Sequence, residues 1–261
     1  TKDQFEFDTA DGVSAAELKE RIAFLVRNAF VCQGGELFRQ VKGIPMGGNA
    51  SPDLANLFCY ACEAEYMDHL LASGHKDEAK RLSLTWRFID DLLTWNGPPP
   101  PEHIYGMRYK ETTNGPNDVS FIGMRIRIEI HPNLPSRRWM RLSVHDKEEQ
   151  WHWKPVRYCH AWSVAPRHQS SGICKGLMIM YARQCNHLAD FRHAAQRAIY
   201  RLLDRKHQVR DLRQSFHAFL RERWPEFPRI CGRLRGFFEF CIRSYNNDEP
   251  LLPAPVSTAP W

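Results

Sequence analysis

The chain has 261 residues, 43% of them hydrophobic, which suffices for one large domain or two smaller ones. Its 36 Lys and Arg against 30 Asp and Glu give a net charge of +6. No apolar run approaches the length of a membrane span and no signal-peptide pattern opens the chain, so no membrane partner is expected, and the cysteine usage suits an intracellular protein, nuclear or cytoplasmic.

The charge is unevenly spread. From Trp151 onward 18 Lys and Arg face 8 Asp and Glu, whereas the residues before it carry 18 and 22. An acidic front and an arginine-rich back suit a polyanion-binding protein whose front half holds cations, or two differently solvated surfaces. Eight cysteines are scattered, and the one Cys-x-x-Cys, Cys59 and Cys62, has no second pair at zinc spacing. Reduced thiols on one helix are expected there.

In chain order, residues 12–30 predict an amphipathic helix. Ser14 followed by Glu17 is a capping-box pattern, and Leu18, Ile22, Leu25 and Val26 recur at helical spacing. "ELFRQVKGIPMGGNASP" predicts a short strand that breaks into a Gly/Pro turn, and after Pro52 a long helix runs to about Gly74. "LTWRFID" and "LLTW" predict two strands around Asp90 and Asp91, with the pair set in an apolar hairpin core. "HIYGMRYKE", "VSFIGMRIRIEI" and "WMRLSVHD" predict further strands, each a single run. Beyond residue 150 the apolar period is again helical: one or two helices from 172 to 206, another over "VRDLRQSFHAFLRER", then a Pro-rich tail. Helices followed by antiparallel strands and more helices make an α+β fold.

Two features can carry chemistry. Adjacent carboxylates repel, but in a tight turn both can approach one spot, and divalent cations convert the repulsion into attraction. Taken alone, Asp90 and Asp91 read equally well as an Asp-rich turn. The second feature is "QVKGIPMGGNASPDLANLF", where Gly43, Gly47 and Gly48 allow close backbone approach ahead of a helix N-terminus. Its spacing matches neither the P-loop nor the dinucleotide fingerprint, and alone it is a structural turn.

In sequence, the pair is more specific. Gly-Ile-Pro-Met-Gly with Asn49 and Ser51-Pro52, then Leu54 to Leu57 and Glu63 or Glu65, then Arg-Phe-Ile-Asp-Asp, resembles motifs B and C of reverse transcriptases. It is most similar to those of the Penelope-like and related eukaryotic enzymes. "DVSFIGMRI" is similar to the motif E strand, "VHDKEEQWHWKPVRY" to an Asp-Lys segment beyond it, and "GLMIMYARQCNHLADF" to a thumb helix, so the likeness spans about residues 25–225.

The resemblance implies a partial palm over residues 1–148, with an antiparallel sheet packed on helices. A basic, helical thumb over 149–245 and a Pro-rich tail over 246–261 would follow. It implies RNA-directed DNA polymerisation with an RNA template, a DNA primer, an RNA–DNA hybrid and dNTP, using two Mg²⁺ ions, with Mn²⁺ as a substitute. Asp90 would be a direct metal ligand and Asp91 a helper. Gly47, Gly48, Asn49 and Ser51 would line the nucleotide and template pocket, with Met46 packing there where many relatives have Gln. Phe121 and Gly123 would lie near the primer. Arg87 would face phosphate or be a strand-surface arginine, and Lys110 would protonate pyrophosphate or be an exposed strand lysine.

Arg183, Arg192, Arg197, Arg201, Arg205 and Arg210 would grip duplex phosphates or form a solvated face. Trp151, Trp153 and Trp162 would stack on bases or fill a core, and at least one is expected in the core. The family's motif A supplies a further Asp before motif B. Asp3, Asp8 and Asp11 are the acids available, none followed by the strand residues that motif normally shows, so motif A is expected outside these 261 residues. The alternatives are a polymerase-derived protein that binds nucleic acid without catalysis and an RNA-dependent RNA polymerase. The second fits less well, because Ile89 stands where those enzymes usually have Gly.

Overall fold

The computed structural model describes residues 12–44, 46–131, 134–151, 155–166 and 168–252. Among them lie eight α-helices and seven strands in three small antiparallel sheets, the α+β class the sequence predicts. The chain divides into two compact units between Tyr109 and Lys110.

The first unit opens with helix α1 (Ala15–Arg27), whose first-turn N–H at Glu17 is capped by the Ser14 hydroxyl, as the capping pattern requires. It stops three residues short of the predicted end because Phe30–Gln33 is a strand, β1, paired with β2 (Glu36–Arg39). Gly34 and Gly35 between them both hold positive φ, the requirement of a two-residue hairpin turn whose twist matches the strands. Helix α2 (Ser51–Ala72) follows the Gly/Pro bend and ends at Gly74 in the left-handed region. Helix α3 (Lys76–Leu82), which the sequence reading passes over, folds back so that Ala79 and Leu82 meet Leu70, with Tyr66 and Met67 beside them.

Strands β3 (Thr85–Phe88) and β4 (Asp91–Thr94) pair as predicted, with Phe88 opposite Asp91. The predicted strand over "HIYGMRYKE" is absent. A 3₁₀ turn at Glu102–Ile104 leads into irregular chain, which side-chain contacts rather than a ladder hold in place. Tyr105 Oη donates to Glu63 (2.6 Å), Tyr109 Oη to the Pro100 carbonyl (2.7 Å), and the Tyr109 N–H to Glu102 (2.7 Å).

The second unit holds a three-stranded meander, β5 (Asp118–Phe121), β6 (Met124–His131) and β7 (Leu134–Val144). The single strand predicted over "VSFIGMRIRIEI" is therefore a hairpin. Ile122 and Gly123 both have positive φ, and the turn folds the apolar run back on itself. Five helices follow: α4 (Gln169–Gln184), α5 (Leu188–Asp204), α6 (Val209–Arg223), α7 (Pro228–Cys231) and α8 (Phe237–Asn246). The predicted stretch 172–206 is two helices, separated where the His187 ring caps α5 by accepting from the Ala189 N–H. The last two helices lie within the stretch predicted to be helical, though no apolar period marks their individual bounds. From α8, Phe237, Phe238 and Cys241 join Phe216, Phe219, Phe191 and Met178 in the main core of this unit, with Ile230 and Cys231 of α7.

A buried ion pair helps join the sheet to that core, against which Val144 of β7 also packs. Arg141 of β7, fully buried, makes a bidentate contact to Asp190 of α5, with Nε–Oδ2 at 2.8 Å and Nη2–Oδ1 at 2.9 Å. Asn186, in the turn between α4 and α5, accepts from the Leu142 N–H (2.8 Å) and donates to the Met140 carbonyl (2.7 Å). It thus behaves as a one-residue strand on the outer edge of β7, satisfying groups that an open edge leaves exposed.

A second cluster ties the segment after β7 to α5. Asp146 is contacted by Arg157 (2.6 Å), Arg201 (2.9 Å) and Arg197 (3.4 Å), and Glu148 pairs with Arg157 and Arg201. Burial opposes ionisation of Asp146, and the Glu148 N–H with the Arg197 and Arg201 charges outweighs it, so its carboxyl sits below the ordinary value of 3.8.

Two measurements check these ties. Asp190→Ala removes the bidentate partner of a buried guanidinium, which keeps the longer contact to Glu129 (3.4 Å), and chemical denaturation of the second unit should show a loss of about 3 kcal/mol, most of which the double change Arg141→Met with Asp190→Leu restores. For Asp146, the folded carboxyl binds its proton less readily than the unfolded one. Its contribution is therefore complete above the unfolded value and is lost as pH falls through the folded one. Tm of the wild type should drop as pH is lowered below about 4, and that slope should flatten in Asp146→Asn.

Candidate metal and nucleotide site

The turn that joins β3 to β4 consists of Ile89 and Asp90 alone, so Asp90 occupies its tip and Asp91 opens the next strand. Both carboxylates are exposed. This corrects the expectation of charges set in an apolar core: water solvates them, and their repulsion is screened without any partner. Ile89 has φ of +56° while Asp90 stays negative, a pattern in which the first turn position is ordinarily Gly. A β-branched residue there is a true outlier and stores strain of about 1–3 kcal/mol.

The faces of the hairpin are also inverted relative to the expected core. Trp86 and Phe88 are about half exposed, whereas Thr85 and Arg87 on the alternate face turn inward. The cause is α2, which offers polar groups to that inner face. Arg87 Nε donates to Glu63 (2.7 Å), Nη1 to Asn56 Oδ1 (2.8 Å) and Nη2 to the Asn56 carbonyl (3.3 Å). Glu63 also accepts from Tyr105, whose hydroxyl is pushed well above its usual range by burial and by that carboxylate. Neither expectation for Arg87, phosphate-facing or plain surface, describes this. Glu63 is thus bound in a protein clamp, while Glu65 is exposed.

The glycine-rich bend lies just before α2. Gly43 and Gly47 hold φ of +81° and +91°, so glycine is needed there for conformation, since a Cβ on Gly47 would meet open space. Met46, Gly47, Gly48 and Asn49 are exposed and Ser51 is half-buried, with its N–H donating to the Gly48 carbonyl (3.1 Å). The helix has Ala50 at its cap and no side-chain cap bond; the Ser51 and Leu54 N–H groups bond the Gly48 and Ala50 carbonyls, and Pro52 has no N–H to offer. Helix α2 carries both this bend and the residues that hold Arg87, so the Asp hairpin and the bend share one support.

In the second unit, Phe121 ends β5 and Gly123 is the second residue of the β5–β6 turn, where its carbonyl accepts from the His145 N–H (2.8 Å). Lys110 lies in irregular chain rather than on a strand. The arginines of the helical region are mostly occupied by protein. Arg197 and Arg201 hold Asp146, Arg183 pairs with Glu226 (3.2 Å), Arg192 donates to the Arg233 carbonyl (2.7 Å) and Arg205 to that of Tyr158 (3.0 Å). Of the six, Arg210 alone stands exposed without a described partner. Trp151 and Trp162 are exposed rather than in a core. Trp153, Asp3, Asp8 and Asp11 lie outside the described residues.

Cys59 and Cys62 are free thiols one turn apart on α2, the former buried. Among the described residues no group of three or more His, Cys, Asp or Glu could hold a metal ion. Asp90 and Asp91 supply the hard oxygen donors that Mg²⁺ takes together with substrate phosphates, so the donor chemistry fits the ion with a minimal protein share. No helix is long and apolar enough to cross a membrane. Comparison with known proteins returns no matching family model, curated protein or solved structure.

The clamp around Arg87 is the part of the site that sequence reasoning missed. Its trace was present: Asn56 and Glu63 are seven residues apart and share one face of α2, and Arg87 is the polar position between two aromatics. Replacing Ile89 by Gly removes the strain at the turn. Urea unfolding of the first unit, followed by Trp86 and Trp95 fluorescence, should show a gain of up to about 1 kcal/mol, the unfolded-chain entropy of Gly offsetting part of the relief.

Proposed function

We propose that the chain is the palm and thumb portion of an RNA-directed DNA polymerase that transfers a nucleotide from dNTP to a primer 3′-hydroxyl. The observation that carries this reading is the presentation of two adjacent, exposed carboxylates, one at the tip of a strained two-residue turn and one opening the strand that follows. The helix supporting that hairpin begins in a glycine-rich bend. The resemblance to motifs B, C and E assigns roles to those same residues.

On this reading Asp90 is the direct ligand of the cations and Asp91 supports it. Gly47 and Gly48 let backbone approach the nucleotide, Asn49 and Ser51 contact it or the template base, and Met46 packs against it. Phe121 and Gly123 belong to the primer side. When bound, two Mg²⁺ or Mn²⁺ ions would lower the pKa of the 3′-hydroxyl and stabilise the charge on the leaving oxygen. The 3′-oxygen attacks the α-phosphorus, its proton is lost to solvent or base, and pyrophosphate departs.

A second reading is binding to an RNA–DNA hybrid without catalysis. It is favoured by the number of carboxylates, since the described residues contribute only Asp90 and Asp91 to the hairpin. One experiment separates the two. The full-length protein is incubated with oligo(dT)-primed poly(rA), dTTP and Mg²⁺ or Mn²⁺, beside Asp90→Ala. The polymerase reading expects incorporation that falls by about two orders of magnitude or more in the variant. Equal incorporation would remove Asp90 from the metal site. Hybrid binding that weakens steeply with salt, without incorporation by either protein, would favour the binding-only reading.

A further inference from the structure

We propose that Arg87 is the positioning residue of the Asp90 hairpin, locking it onto α2 and thereby setting where the Asp90 carboxylate stands; this rests on the reading of Asp90 as a metal-site residue. Four contacts carry the proposal. Three bind the guanidinium to α2 through Glu63 and both the side chain and carbonyl of Asn56, and the fourth runs from Nη1 to the Ile89 carbonyl at 3.5 Å. That carbonyl belongs to the peptide linking Ile89 to Asp90, so the guanidinium engages the helix through all three of its nitrogens while Nη1, already on Asn56, also reaches the turn. The Ile89 contact is long and weak, and the α2 contacts supply most of the hold.

The need for a clamp follows from the hairpin itself. A two-stranded ribbon is marginally stable in water, its outer face carries half-exposed Trp86 and Phe88, and its turn holds Ile89 at positive φ. Strain of that kind persists only where the surroundings over-determine it. Arg87 is suited to this because its planar fork presents several donors in fixed geometry, which a Lys ammonium does not reproduce. With its side chain 14% exposed, its Nε on Glu63 and its Nη groups on Asn56, it is poorly placed to grip phosphate. Glu63 is held in turn by Tyr105, so the acceptor is itself fixed.

The test compares wild type, Arg87→Lys, Arg87→Met and Asn56→Ala by amide hydrogen exchange over residues 85–94, with dTTP incorporation on primed poly(rA) measured in parallel. Met fits the site, since a cavity of about 280 Å³ adjoins Arg87, Glu63 and Thr85. In Arg87→Met, exchange across the hairpin should rise about tenfold or more while α4 and α5 keep their protection. Incorporation should fall in kcat with KM for dTTP nearly unchanged. Arg87→Lys should fall between, and Asn56→Ala should loosen the same segment to a smaller degree; it keeps the test decisive should Arg87→Met fail to fold.

Unchanged hairpin protection in Arg87→Met, or in Asn56→Ala where the former does not fold, overturns the proposal. Loosening with incorporation equal to wild type also overturns it, because the hold on Asp90 would then be irrelevant to the reaction. If the hairpin loosens and even the wild type incorporates nothing, the positioning stands and the polymerase reading falls.

Discussion

A guanidinium held between a strand and a helix organises each unit of this protein. In the second unit, Arg141 lies wholly inside the protein and is neutralised by Asp190, which takes its Nε–Nη2 edge in a bidentate pair. Burying two charges is expensive, and the cost is offset only when geometry and hydrogen bonds are complete, which is why Asn186 on the neighbouring strand edge belongs to the same construction. The first unit repeats the device on a smaller scale, with Arg87 of β3 on Glu63 and Asn56 of α2. In both units the arginine fixes a sheet to a helix in one register, something non-directional apolar packing specifies less sharply.

That use of arginine reshapes the meaning of the basic back half. Its charge suggests a face offered to phosphates, yet Arg197, Arg201, Arg183, Arg192 and Arg205 all find acceptors inside their own unit. The first unit shows the converse. Beyond the small cluster around Leu70, Ala79 and Leu82, many of its large apolar side chains stand open, among them Phe24, Leu37, Met46, Phe58 and Phe88. Charge counts and apolar content therefore describe each region's composition faithfully and its surface poorly, because neither says which side chains meet.

Legibility followed the range of the interaction. The Ser14 cap, the helix after Ser51-Pro52, the hairpin around Asp90 and Asp91 and the helix over 209–223 depend on neighbours within a turn or two, and their signals are local. Residues 103–111 misled because Tyr105 and Tyr109 look like strand residues and are instead held by Glu63 and Pro100, 42 and 9 positions away. The run 118–131 misled because its break falls on Ile122-Gly123, where one glycine inside an apolar stretch carries a whole turn. Of the candidate site, the acids and the glycines were readable as residues. Arg87 was readable only as a charge, its partner set being invisible before α2 and β3 are folded together.

By itself the sequence determined the α+β class, the capped and glycine-punctuated boundaries, and the pairing of two carboxylates in a hairpin. These are set by backbone conformation and by contacts a few residues apart, which composition and spacing encode directly. The tertiary structure alone decided that the acids stand in water rather than in a core, that Trp86 and Phe88 face outward while Arg87 faces in, and that most of the arginines are already spent on protein acceptors. Each of these turns on which distant side chain meets which. A guanidinium between residues 56, 63 and 87 exists only once helix and strand are packed, since its cost of burial is met by partners the chain brings together from 31 and 24 positions away.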